Sequence, residues 1–155
     1  MDRIIHTNEE DASWVHRNAH PKYDYFRRNL IPSGEAKQCM CAIYRIQPKK
    51  SNYPYHYHLK NEESFYIVSG EGLLRTPEGE RKVVAGDYVF FPAGETGAHQ
   101  LVNASETELL VYLDFDTDND PEVCFYPDSG KIGVYGETVR QLYKTSDQVE
   151  YYEGE

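Results

Sequence analysis

Between Gln38 and Tyr135 the chain never runs far without a turn signal, and this punctuation limits its fold more than any other feature. Cys39-Met40-Cys41-Ala42-Ile43-Tyr44-Arg45-Ile46 reads as a strand ended by Pro48. Tyr53 to His58 and Ser64 to Ser69 follow, the second closed by Gly70-Glu71-Gly72. Leu73-Leu74-Arg75 runs into Thr76-Pro77-Glu78-Gly79, and Arg81-Lys82-Val83-Val84 returns. Gly86-Asp87 opens Tyr88-Val89-Phe90-Phe91, which stops at Pro92-Ala93-Gly94. His99 to Asn103, Glu108 to Phe115, Val123 to Tyr126 and Ile132 to Tyr135 complete the series, with an acidic loop from Asp116 to Pro121. Short apolar segments at this spacing, bounded by Gly, Pro, Asn and Asp, predict an all-β sandwich or barrel. The short connections predict mainly antiparallel pairing.

The 155 residues suffice for one domain with its own core. Residues 38–136 are expected to form the barrel. Residues 1–37, broken by Pro21, Pro32 and Gly34, are expected to lie over it as an arm, and 137–155 to form a polar tail. Within the arm, Asn8-Glu9-Glu10-Asp11 predicts the cap of one short helix through Trp14 and Val15.

The net charge of -10 leaves no basic patch beyond Arg27-Arg28 and Lys49-Lys50. Clustered cations are what phosphate backbones require, so nucleic acid and anionic membrane surfaces are not expected partners. Three cysteines imply no disulfide framework. Cys39 and Cys41 could be half of a thiolate site, but no second pair completes it. They are read instead as small buried residues on one face of a strand. The Met1-Asp2-Arg3 start lacks the apolar region of a signal peptide, and no apolar run has bilayer-spanning length. A cytoplasmic protein is expected.

Four residues carry metal-ligand chemistry: His56, His58, Glu63 and His99. Side chains alternate along a strand, so His56 and His58 leave the same face, and Tyr53, Tyr55 and Tyr57 the other. A short turn over Leu59 to Glu62 lets the strand holding Glu63 pair back beside them. If these faces and that of His99 look inward, three imidazoles and a carboxylate converge, leaving open positions on a divalent metal. Glu62 is the fallback ligand if the turn slips by one residue. Asn103 is read as a structural hydrogen bonder, and the outward tyrosines as a row that needs a cover, from the arm or from a second subunit.

The turn residues around these ligands resemble the two motifs of the cupin superfamily. His56-Tyr57-His58, four residues, Glu63, six residues and Gly70 match the first. Gly86, five residues, Pro92-Ala93-Gly94, His99, three residues and Asn103 match the second. Val123-Cys124-Phe125-Tyr126-Pro127-Asp128-Ser129-Gly130-Lys131 also resembles a segment of small single-domain cupins that are mostly uncharacterised. Two departures stand out. Lys50 occupies the place of the first motif's opening glycine, and four residues rather than two separate Gly94 from His99. The extra residues must bulge, with Gly97 supplying the freedom.

The resemblance implies a double-stranded β-helix (jelly roll), one divalent ion (iron, manganese, nickel, zinc or cobalt), and a homodimer. It leaves two functional readings. One is a metal-dependent enzyme acting on a small polar molecule, a sugar or an organic acid, through His56, His58, Glu63 and His99. The other is a non-catalytic module that holds a sugar-like ligand and a structural metal. A fold of this kind hosts several chemistries, and no general base stands out in the sequence.

Overall fold

The computed structural model of the protein describes residues 4–155; Met1, Asp2 and Arg3, on which the expectation about the chain's start rests, lie outside them. Asn8 caps a single 3-10 turn, Glu9–Asp11, by accepting a hydrogen bond from the Glu10 amide. The predicted helix goes no further. No apolar stripe at helical spacing follows Trp14, and the chain passes directly into strand β1 (Val15–His20). Strand β2 (Tyr23–Asn29), rich in aromatic residues that suit a pleated surface, pairs back on it. Trp14 is held between Arg28 and Arg45, each guanidinium 4.2 Å from the indole centroid.

Eleven further strands follow among the described residues: β3 (Cys39–Ile46), β4 (Tyr57–His58), β5 (Glu63–Ser69), β6 (Glu71–Thr76), β7 (Gly79–Val84), β8 (Tyr88–Phe91), β9 (Gln100–Asn103), β10 (Leu110–Thr117), β11 (Glu122–Tyr126), β12 (Lys131–Tyr135) and β13 (Arg140–Lys144). Six of the strands form a sheet in the order β1-β2-β3-β10-β5-β8. A four-stranded sheet, β13-β12-β11-β4, and a three-stranded one, β7-β6-β9, complete the architecture. Every ladder between these strands is antiparallel. The fold is the all-β barrel expected from the strand spacing.

Alternation along β3, β5 and β10 turns Ala42, Tyr44, Ile46, Phe65, Ile67, Leu110 and Tyr112 inward, where they meet Leu74, Val83, Phe91 and Leu101 from the other strands in one core cluster. Tyr44 and Tyr112, opposite each other on neighbouring strands, stack with centroids 5.0 Å apart. Asn103, fully buried, donates to the Ile46 and Glu108 carbonyls and accepts from the Ser105 amide, the structural role its sequence position suggested.

Three local expectations fail, each for a reason of register. Cys39 is exposed and Cys41 half-buried, because the core face of β3 belongs to Ala42, Tyr44 and Ile46, which have the opposite parity. Asp116 is not in a loop: β10 runs to Thr117 and carries Asp116 on the same face as Tyr112 and Asp114. Tyr53 does not share a face with Tyr55 and Tyr57. The strand β4 begins only at Tyr57, so strict alternation does not reach back to Tyr53. Its ring packs on the core, with its hydroxyl 3.0 Å from that of Tyr44. The row is covered from within the chain: Tyr25 lies beside Tyr53, Arg75 covers Tyr55 and Phe125 stacks on Tyr57. No helix among the described residues is long and apolar enough to cross a membrane.

Candidate metal centre

His58 lies on β4, opposite Cys124 of β11. His56, just before β4, forms an isolated antiparallel bridge with His99. Glu63 is the first residue of β5, opposite Asp116 of β10. These placements bring three ring nitrogens to one carboxylate oxygen. Glu63 Oε2 is 3.1 Å from His99 Nε2, 3.4 Å from His58 Nε2 and 3.9 Å from His56 Nε2. His56, Glu63 and His99 are buried and His58 is nearly so. His56, His58 and Glu63 offer ligand atoms within 4.8 Å of one another and could hold a metal ion. Glu62, the alternative carboxylate, is exposed and points away.

The short contacts inside this cluster are not all hydrogen bonds. Among the described residues neither Glu63 Oε2 nor His99 Nε2, both buried, has a hydrogen-bond partner, although only 3.1 Å separates them. The distance is right and the alignment is not, as expected of two lone-pair atoms aimed at a common third atom. The opposite ring nitrogens agree. His56 Nδ1 lies 2.9 Å from the Pro54 carbonyl and His99 Nδ1 2.9 Å from the Gly97 carbonyl. A carbonyl only accepts, so each Nδ1 carries the hydrogen and each Nε2 presents a lone pair to the cluster. The donor set therefore fits a divalent first-row ion.

Local structure explains the convergence. The turn from His58 to Glu63 is tied down by Glu122, whose buried carboxylate accepts from the amides of Leu59 (2.8 Å), Lys60 (3.1 Å), Asn61 (2.7 Å) and Val123 (2.8 Å). The two extra residues before His99 form a 3-10 turn, Glu95–Gly97. Gly97 is needed there for closeness rather than for a left-handed φ: a Cβ at this position would sit 1.8 Å from the Pro92 carbonyl oxygen. The predicted bulge is thus a compact turn, and it delivers His99 onto the ring of Phe91, centroids 3.7 Å apart.

The charges are strongly coupled. Burial, reinforced by the neighbouring His99, lowers the His56 imidazole to about 3. Burial also acts to lower His58, but the Cys124 thiol and the Glu63 carboxylate outweigh it and raise this ring to about 11. Burial opposes ionisation of Glu63, and the surrounding imidazoles reverse that effect and hold it well below the usual carboxylate range.

Two acids that the sequence reading passed over complete the site. Asp114 and Asp116 point into the barrel beside Glu63, and the three carboxylates have oxygens within 4.8 Å of one another. One oxygen of each aspartate is buried without a hydrogen-bond partner among the described residues. Burial and the Glu63 charge push Asp114 well up, and Asp116 to about 7, with the Arg27 guanidinium opposing both shifts. A signal was available: aspartates at the core parity of an otherwise apolar strand are out of place unless they serve a site. Cys124, whose sulfur lies 3.2 Å from His58 Nδ1, had no such signal.

Comparison with known proteins agrees with this architecture. The cupin-domain family model matches residues 42–115. A candidate sugar phosphate isomerase from Acidithiobacillus ferrooxidans is 25% identical, over 89% of this chain and 88% of its own, with a TM-score of 0.76. A sugar phosphate isomerase of the cupin superfamily from Silicibacter pomeroyi is 20% identical, over 90% and 92% of the two chains, with a TM-score of 0.80. The polyketide cyclase RemF from Streptomyces resistomycificus, 22% identical over 79% and 83%, superposes with a TM-score of 0.60. No curated protein matches the sequence. The matched segment contains His56, His58, Glu63 and His99, and the barrel around them is the fold of the cupin-superfamily structures it resembles.

Proposed function

We propose that the protein is a metal-dependent enzyme acting on a small polar molecule, with His56, His58, Glu63 and His99 as the ligands of one divalent ion. The observation that carries this reading is the pair of buried, mutually misaligned atoms Glu63 Oε2 and His99 Nε2, which a shared cation would satisfy. A bound ion of this class would supply Lewis acidity to a substrate oxygen. The protein's own residues supply the rest. Asp114 and Asp116 stand beside the ligands with free acceptor oxygens and are the groups placed to take a proton from a bound substrate or return it.

Hydroxyl groups of a sugar can donate to the buried oxygens of Asp114 and Asp116 that lack a hydrogen-bond partner among the described residues. The name of the Acidithiobacillus protein points the same way. A sugar or sugar phosphate is therefore the favoured substrate class, and proton transfer between neighbouring carbons the favoured reaction.

The same reading includes a homodimer. On the outer face of the six-stranded sheet, Tyr88, Tyr66 and Leu113 form one cross-strand row, and Phe90, Ser64 and Phe115 a second. Tyr66, Tyr88, Phe90 and Phe115 are exposed, with Val68 beside them. An apolar face of this extent suits a second copy of the chain.

The test is metal analysis of protein purified without chelators, followed by a screen of aldoses, ketoses, their phosphates, and hydroxy and keto acids. Turnover that is abolished by His58→Ala with the fold retained supports the enzyme. Failure to take up any of iron, manganese, nickel, zinc or cobalt overturns it, and ligand binding without turnover makes the protein a binding module.

A further inference from the structure

We infer that Cys124 is a positioning residue for the metal ligand His58, acting as the hydrogen-bond acceptor that fixes which nitrogen of this ring faces the ion. The inference rests on the proposed metal centre. It goes beyond it by assigning a role to a thiol that lies outside the ligand set and outside the segment matched by the family model.

The three imidazoles make the argument together. A ring binds metal through one unprotonated nitrogen, so its hydrogen must sit on the other nitrogen and find an acceptor. His56 and His99 solve this in the same way, each with Nδ1 2.9 Å from a backbone carbonyl two residues earlier. His58 has no such carbonyl. Its Nδ1 faces Cys124 Sγ at 3.2 Å, a hydrogen-bonding distance for sulfur. The geometry is built into the sheet: His58 and Cys124 are direct partners in the β4–β11 ladder. The pairing is extended at the next position by Tyr57 stacked on Phe125, centroids 4.9 Å apart with the rings 6° from parallel.

The thiol is also shielded. Cys124 is buried, whereas Cys39 is exposed. A buried Nδ1–H opposite a side chain without an acceptor would be left unsatisfied, and the ring would gain by turning or by moving its hydrogen to Nε2. Either change removes the lone pair that would meet the ion beside Glu63 Oε2 and His99 Nε2, two of the buried atoms that have no hydrogen-bond partner among the described residues. Supporting groups of this kind change metal affinity by roughly tenfold to a hundredfold when removed.

The variants that test this differ in whether an acceptor remains. Cys124→Ser keeps a small acceptor, and Cys124→Val replaces it with an apolar side chain somewhat larger than the thiol. Cobalt(II) affinity is measured by competition with a chromogenic chelator, and the visible spectrum of the bound cobalt reports on its ligand field. Circular dichroism and thermal unfolding of the metal-free proteins check the fold, with Cys124→Ala as the replacement if Cys124→Val does not fold. The expected result is affinity within about threefold of wild type for Cys124→Ser, and a loss of roughly tenfold to a hundredfold, with an altered cobalt spectrum, for Cys124→Val. Equal affinities in all three proteins overturn the inference alone. An equal loss in Cys124→Ser and Cys124→Val also overturns it, since an acceptor would then not be what matters. A wild-type protein that binds neither cobalt(II) nor zinc overturns the metal reading and this inference with it.

Discussion

His56 and His99, 43 positions apart in the chain (99 − 56), exchange both backbone hydrogen bonds outside any regular strand: His56 N–H donates to the His99 carbonyl at 3.1 Å, and His99 N–H to the His56 carbonyl at 2.9 Å. Two residues paired in this way send their side chains to the same face of the ladder, and here the imidazole centroids are 4.7 Å apart. The backbone bridge is therefore what makes a two-histidine edge of the site. It depends on the compact turn that precedes His99.

That turn gives the first prediction. In Gly97→Ala the new Cβ would overlap the Pro92 carbonyl oxygen, a backbone atom that cannot swing aside. The 3-10 turn must open and His99 must shift, while the core, built from other strands, is untouched. The expected outcome is a native circular dichroism spectrum with metal affinity lowered roughly tenfold or more, measured by chelator competition. Wild-type affinity in this variant would show that His99 does not depend on the turn.

Glu122 gives the second. Its carboxylate is the common acceptor for the amides of Leu59, Lys60, Asn61 and Val123. Removing it in Glu122→Ala leaves several amides near the site without a partner, at a cost of about 3 kcal/mol. Urea unfolding of the metal-free protein measures this, and Glu122→Gln, which keeps one carbonyl oxygen, should fall between the two. A loss below about 0.5 kcal/mol would mean that water replaces the carboxylate without penalty.

The parts of this architecture that were legible in the sequence are those carried by local rules. Strands such as Cys39–Ile46 and Tyr88–Phe91 announce themselves by apolar runs ending at Pro. Glu63 could be preferred to Glu62 by its count to Gly70, and the structure turns Glu63 inward and Glu62 out. Strands β1 and β13 were invisible because each is exposed along its whole length, so nothing in them alternates. The partnership of His58 with Cys124 joins positions 66 apart, through a two-residue strand pairing that no spacing rule encodes. Asp114 and Asp116 are the intermediate case. Their parity with Leu110 and Tyr112 was readable, but their meaning required knowing that Glu63 lies across from Asp116.

The outer face of β8, β5 and β10 gives the third prediction. Phe90 is exposed on this face, on the strand that ends the six-stranded sheet. Phe90→Asp places a charge within the two cross-strand rows and should convert a homodimer to a monomer in light scattering coupled to size-exclusion chromatography, with metal content unchanged. A wild-type protein that is already monomeric at micromolar concentration would remove the dimer from the reading.

The last prediction concerns pH and follows from His58. Its ring titrates at about 11 in the folded, metal-free protein, against 6.5 in an unfolded chain. A raised folded value means that the folded state holds a proton which the unfolded state has released. The stabilisation is complete below 6.5 and is lost as pH rises toward 11, by up to about 1.4 kcal/mol per pH unit. Asp114, pushed well up by burial and by Glu63, acts in the same direction, whereas Asp116, at about 7, adds nothing further once that value is passed. His56, lowered to about 3, is neutral in both states above 6.5 and so does not offset the loss. A metal ion requires His58 without the proton on its ligating nitrogen, so binding releases a proton and strengthens as pH rises. The melting temperature of chelator-treated protein should therefore fall between pH 6.5 and 9, and the gap to metal-loaded protein should widen over the same range. Differential scanning fluorimetry on both forms measures this, and a gap that stays constant or narrows would mean that His58 is not the group the metal deprotonates.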